Sequence, residues 1–386
     1  MIRNNLTMTL VGALTVVCGL TEHGSTQAPA KQSPRQAPIF QVDSTWPKLP
    51  NNWILGPVSS VAVGPDDHVW IVHRPRNLSK AKRAQAAPPV LEFDSAGKFV
   101  RAWGGEGKGY DWPSTEHGIS IDYKGHVWIT GSNPSGGSAD APTDNMLLGF
   151  TKAGKFLLQI GGRNQPGGNQ NTKNFDRATD VAVYQKTNEA FISDGYGNRR
   201  VMVCDADTGA FKRMWGAFGN PPDTDAPSAR TVGAPPRPEP PSAEAQPEGS
   251  RTFSTPVHAI KVSKDGLVYV ADRSNGRVQV FSVDGEYVSQ VFINRPKGAT
   301  AAGLAFSSDA GQTYLYVADS ASPGVVVVNR KTLEVIYQFG KRGSAPGDFQ
   351  GLHHLAADSK GNVYTAEAGG GRAQKFRFKG ISSPPS

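Results

Sequence analysis

From about residue 58 onward the chain alternates apolar and polar positions in short bursts, each cut by a turn rich in Asp and Gly. Val61-Ala-Val-Gly-Pro-Asp-Asp-His-Val-Trp-Ile-Val72 and Ile119-Ser-Ile-Asp-Tyr-Lys-Gly-His-Val-Trp-Ile129 show the pattern. So do Ile260-Lys-Val-Ser-Lys-Asp-Gly-Leu-Val-Tyr-Val270 and Leu355-Ala-Ala-Asp-Ser-Lys-Gly-Asn-Val-Tyr364. Period-two alternation around such turns predicts antiparallel hairpins with one buried face. Most hairpins are followed by two more short runs, as in Arg277-Val-Gln-Val-Phe281 and Tyr287-Val-Ser-Gln-Val-Phe292. The unit is therefore four-stranded, and it recurs at roughly 40–50 residues. Six units fit. The sixth runs out after Phe376-Arg-Phe378, and Ile39-Phe-Gln-Val42 is predicted to supply its outer strand. That arrangement closes a ring and removes an exposed edge. The expected fold is all-β, a six-bladed β-propeller over residues 39–380 with a tail at 381–386.

Composition agrees with a turn-rich β protein: the 386 residues include 44 Gly and 29 Pro, and 38% are hydrophobic. The formal net charge of +8 is dispersed, with no basic block or helix, so nucleic acid is not an expected partner. An apolar run behind Arg3 reads as an export signal over residues 1–24, too short for a membrane span. Secretion or a periplasmic location follows, with no integral span in the mature chain. Cys18 offers a lipid-anchored alternative, disfavoured by the bulky Val17 before it. A disordered spacer is expected over 25–38. A Pro-rich insertion is expected over about 219–250, between the third and fourth units. Cys204 alone remains in the mature body, so no intramolecular disulfide is expected.

Chemistry enters at one register position. The inner strand opens on His117, His258 and His353 in the second, fourth and sixth units, and on Ser59, Thr179 and Ala302 in the others. In a ring, the three imidazoles would converge from alternate blades at one mouth of the channel. Neutral imidazoles are zinc ligands, and three leave a coordination position open. A hydrated polar channel binding nothing is the alternative. The loops after the second strands reach the same mouth with Arg74, Tyr196 and Arg273. Each also has a structural reading: Arg74 as a solvated charge, Tyr196 as a capping ring, Arg273 as a loop brace. His73 and Arg277 are expected to be structural.

Ala271-Asp-Arg-Ser-Asn-Gly-Arg-Val-Gln-Val-Phe-Ser-Val-Asp-Gly285 resembles the NHL repeat. More specifically, several dispersed segments resemble peptidyl-α-hydroxyglycine α-amidating lyase. They are Val58-Ser-Ser-Val-Ala-Val63 with Val72-His-Arg74, His117-Gly-Ile-Ser-Ile-Asp122, Thr179-Asp-Val-Ala-Val183, Ile192-Ser-Asp-Gly-Tyr-Gly-Asn198, Ala271-Asp-Arg-Ser-Asn-Gly-Arg277 and Phe349-Gln-Gly-Leu-His353. The resemblance implies a zinc lyase that splits a carbinolamide into an amide and glyoxylate. It implies His117, His258 and His353 as zinc ligands, Tyr196 as catalytic base, and Arg74 and Arg273 as active-site arginines. A peptide or small molecule ending in hydroxylated glycine would be the substrate, made by a separate monooxygenase. Val61 and Ile119 fall at carbonyl positions of a family calcium site, but its aspartate position is His354, which argues against calcium here. Gly197 stands at one of the family's cysteine positions, and the chain has no room for the copper monooxygenase domain. Two other readings remain: a non-enzymatic NHL propeller binding protein, peptide or glycan, and a metal-dependent propeller enzyme with another substrate.

Overall fold

The computed structural model describes Met1 and residues 36–133, 142–224 and 248–384. The expected leader beyond Met1, Cys18 included, residues 25–35 of the spacer and most of the Pro-rich insertion lie outside these residues. Within 36–384 the strands form six four-stranded antiparallel sheets, and neighbours in each sheet are neighbours in sequence except at the closure. There, Ala37–Asp43 pairs with Arg372–Ser382, so the first strand of the chain is the outer strand of the last blade. Phe40 fastens it, with ring centroids 5.0 Å from Phe339, 5.7 Å from Tyr316 and 6.1 Å from Phe378. The protein is a six-bladed β-propeller of four-stranded blades. No helix of the described residues is long and apolar enough to cross a membrane.

The hydrophobic core is divided among the seams between blades. One cluster joins Tyr269, Val278 and Val280 of the fourth blade to Leu304, Leu315 and Val326 of the fifth. Another joins Tyr364 and Ala366 of the sixth to Val58, Ile71 and Leu91 of the first, across the closure. Each fully buried Val, Leu, Ile or Phe contributes about 1.5–3 kcal/mol, so every seam is held by several such side chains.

Polar residues set the loops. Asp122 accepts the backbone N–H of Lys124 and His126 and the Trp128 indole N–H, tying a turn to the strand after it. At the opposite end of the blade, buried carboxylates receive the arginine that opens the third strand: Arg200 to Asp194 at 2.9 Å and Arg277 to Asp272 at 2.8 Å. Arg277 is thus a brace. These braces hold the loops that carry Tyr196 and Arg273.

Candidate metal centre

All six inner strands share an irregularity at their first residues. The pairing register slips between Val58 and Ser60, Glu116 and Ile119, Ala178 and Asp180, Val257 and Ala259, Ala301 and Gly303, and Leu352 and His354. Ser59, His117, Thr179, His258, Ala302 and His353 stand in these slips. A bulge removes its extra residue from the ladder and frees a backbone group for another partner. In the odd blades the freed group is a carbonyl, and the preceding even blade uses it. His117 Nδ1 donates to Thr179 O at 2.8 Å, His258 Nδ1 to Ala302 O at 2.7 Å, and His353 Nδ1 to Ser59 O at 2.6 Å. Because a carbonyl only accepts, each contact assigns the proton to Nδ1 and leaves a lone pair on Nε2.

Those lone pairs converge. Ring centroids of His117, His258 and His353 lie 4.6–4.9 Å apart, and the Nε2 atoms of His258 and His353 stand 3.1 Å from each other. With both protons on Nδ1, two acceptors face one another, an arrangement that calls for a cation between them. A proton is disfavoured: burial, and after it the Arg74 guanidinium, hold His117 down at about 3. Burial likewise drives His258, His353 and His354 well below the ordinary imidazole range. Two nitrogens about 2.0–2.1 Å from one tetrahedral zinc would stand roughly 3.3 Å apart, close to the separation found. The donor set therefore fits a transition ion, and a ring nitrogen of His354 joins the other three within 4.8 Å.

The rest of the mouth assembles around this cluster. The Tyr196 hydroxyl lies 3.1 Å from His117 Nε2 and donates to it, with the rings edge to face at 5.1 Å. Its loop is tightly packed. A Cβ on Gly197 would fall 1.9 Å from the Asp176 carboxyl carbon, which gives a steric reason for glycine where the resembling family has a cysteine. Gly118 is similarly constrained, because its Cβ would lie 2.4 Å from the same Thr179 carbonyl that holds His117. Arg74 Nε donates to Glu116 O at 2.7 Å. Arg273 is near enough to disfavour a proton on each of the four histidines, and its Nε is a buried donor without a protein partner. His73 stands apart, bonded through Nδ1 to Gly56 N–H and through Nε2 to Pro88 O, both at 3.0 Å. It is structural, as its sequence context predicts.

Two groups were not singled out from sequence. Glu116, next to His117, is buried beside Trp112 and pushed up to about 7 by that burial. Farther along the channel, Lys261 Nζ meets the buried Asp180 carboxylate at 2.7 Å. Lys261 lines a cavity of about 240 Å³ together with Val61 and Ile119, the positions suggested for calcium carbonyls. A lysine within an inner strand was the available signal.

The NHL repeat family matches residues 257–281. Among curated proteins, the chain is 29% identical to the Rattus norvegicus peptidylglycine α-amidating monooxygenase, over 80% of this chain and 28% of that one. It is 26% identical to NHL repeat-containing protein 3 of Mus musculus, over 88% of this chain and 84% of that one. It is 24% identical to a probable peptidyl-α-hydroxyglycine α-amidating lyase of Caenorhabditis elegans, over 92% and 93% of the two chains. The chain spans about a third or less of the length of the amidating monooxygenases it matches. A solved structure of unknown function from Bacteroides thetaiotaomicron shares the fold, with a TM-score of 0.53 and 13% identity over 89% of this chain and 77% of that one. The chain thus resembles NHL-repeat propellers and, among them, the amidating lyases.

Proposed function

We propose that the protein is a secreted, zinc-dependent carbon–nitrogen lyase that cleaves a carbinolamide of the α-hydroxyglycine type into an amide and glyoxylate. The observation that carries the reading is the convergence of three carbonyl-anchored imidazoles beside the Tyr196 hydroxyl. His117, His258 and His353 would hold the zinc, which when bound supplies Lewis acidity toward the substrate's α-hydroxyl oxygen.

Cleavage removes the α-hydroxyl proton and adds a proton to the departing amide nitrogen. Tyr196 can meet both demands: its oxygen accepts the hydroxyl proton while its own O–H proton passes to nitrogen. Net charge on the phenol is then unchanged over the reaction. The hydroxyl donates to His117 Nε2, and commitment of that lone pair to a metal ion would free Tyr196 to serve the substrate. Arg273, with its unpartnered Nε, is suited to the carboxylate that becomes glyoxylate. Arg74 is anchored on the backbone of Glu116 and adds positive charge beside the imidazoles. A separate monooxygenase would supply the hydroxylated substrate.

The test pairs metal analysis of the purified protein with glyoxylate release from an N-acyl-α-hydroxyglycine. Zinc at one ion per chain with catalytic release is expected. A folded protein without a stoichiometric transition metal refutes the reading, and zinc without glyoxylate points to another substrate. The near full-length match to NHL repeat-containing protein 3 favours a second reading, a binding propeller. It would take up a protein, peptide or glycan with no turnover.

A further inference from the structure

We infer that His354 is a fourth metal-binding imidazole, one that closes the coordination sphere at rest and yields its place to an incoming oxygen ligand. The inference rests on the metal reading given above. In a regular strand, His353 and His354 would face opposite sides. The slip between Leu352 and His354 breaks that alternation, and both rings reach the same centre. The His354 ring lies 5.0 Å from His353, 5.6 Å from His117 and 5.1 Å from His258, inclined only 29° to the last. The residue is 2% exposed, and its Nε2 is a buried nitrogen without a protein partner. Leaving such a group unpaired is costly, and a metal ion relieves the cost.

Four neutral imidazoles make a nitrogen-only donor set with no anionic member. Imidazole suits zinc, copper, nickel or iron, whereas calcium and magnesium favour oxygen. Four protein ligands also fill a tetrahedral site, while catalytic zinc sites keep one position open. One ligand must therefore leave, or the coordination number must rise, when substrate arrives. The anchoring singles out which. His117, His258 and His353 are each tied through Nδ1 to a bulge carbonyl. No hydrogen bond to the His354 ring occurs among the described residues, and its Nε2 has none at all. The untied imidazole is the displaceable one.

The experiment compares the full chain with His354→Ala and with His354→Gln, which keeps more of the side-chain volume should the cavity left by alanine impair folding. Zinc-edge X-ray absorption should count four imidazoles in the wild type and three in either variant. Zinc affinity, measured by competition with a chromophoric chelator, should fall at least roughly tenfold, since disturbing even the partners of ligands has that effect. In cobalt(II)-loaded protein, azide should perturb the visible spectrum at a concentration at least tenfold lower in the variants, where the position is already open. Three imidazoles in the wild type, or unchanged affinity and count in the folded variants, overturns the inference. A protein that binds no transition metal overturns it together with the lyase reading. Four imidazoles without glyoxylate release removes the lyase reading alone, and three with glyoxylate release removes this inference alone.

Discussion

Gly118→Ala tests how the site is held without touching a ligand. The new Cβ would stand 2.4 Å from Thr179 O and 2.8 Å from Thr130 Oγ1, where real side chains keep beyond 3.0 Å. Neither neighbour retreats freely. Thr179 O accepts both His117 Nδ1 at 2.8 Å and Thr130 Oγ1 at 2.9 Å, and Thr130 Oγ1 in turn accepts the Gly118 N–H at 2.8 Å. Overpacking costs about 1–3 kcal/mol, and each weakened hydrogen bond costs about 1 kcal/mol. A loss on the order of 3 kcal/mol is expected, lowering Tm by roughly 5 °C or more. The functional effect is the sharper one, because His117 loses the contact that fixes its tautomer and aim. Zinc affinity should drop by about 10–100-fold. Gly168→Ala is the control, since its Cβ would meet nothing within 4 Å. Chelator competition and thermal melting on the two variants decide the matter. Wild-type zinc affinity in Gly118→Ala would refute the idea that the Thr179 carbonyl governs the ligand.

Three other expectations follow from the same geometry. Tyr196→Phe removes a hydroxyl but no imidazole anchor, so zinc content should persist while turnover falls by about 10²–10⁴-fold; equal turnover would remove Tyr196 from the chemistry. Burial holds His73 at about 4, below the value near 6.5 of an unfolded chain, so its neutral form stabilises the fold fully above pH 6.5. That stability, on the order of 3 kcal/mol, should be lost as pH falls toward 4, and urea midpoints from pH 7.5 to 4.5 should slope less in His73→Gln than in the wild type. Identical slopes would contradict this. Phe40→Ala strips the closing strand of its three ring contacts and should cost about 3 kcal/mol in chemical denaturation, with a change within 0.5 kcal/mol telling against its role as fastener.

The blades were legible because alternation around Asp/Gly turns is a strong local signal, and their number followed from the spacing. The register shared by His117, His258 and His353 was also legible, since the repeat aligns them. What the chain did not reveal was the bulge at that register. A one-residue slip has no composition of its own, and simple alternation would turn His354 away from His353. The acceptors Ser59, Thr179 and Ala302 were identifiable as positions, yet their carbonyls are the same in every residue type and carry no signature. Asp180 and Lys261 lie 81 positions apart, and their pairing depends on neighbouring blades meeting.

The three imidazole anchors differ greatly in the length of chain they span. His258 reaches Ala302 across 44 positions and His117 reaches Thr179 across 62, but His353 reaches Ser59 across 294. Closing a loop of that length carries the largest entropy cost of the three. The last anchor therefore exists only once the sixth blade has docked on the first, and an ion held by all three ligands would act as a latch on a finished ring rather than as a template for building it.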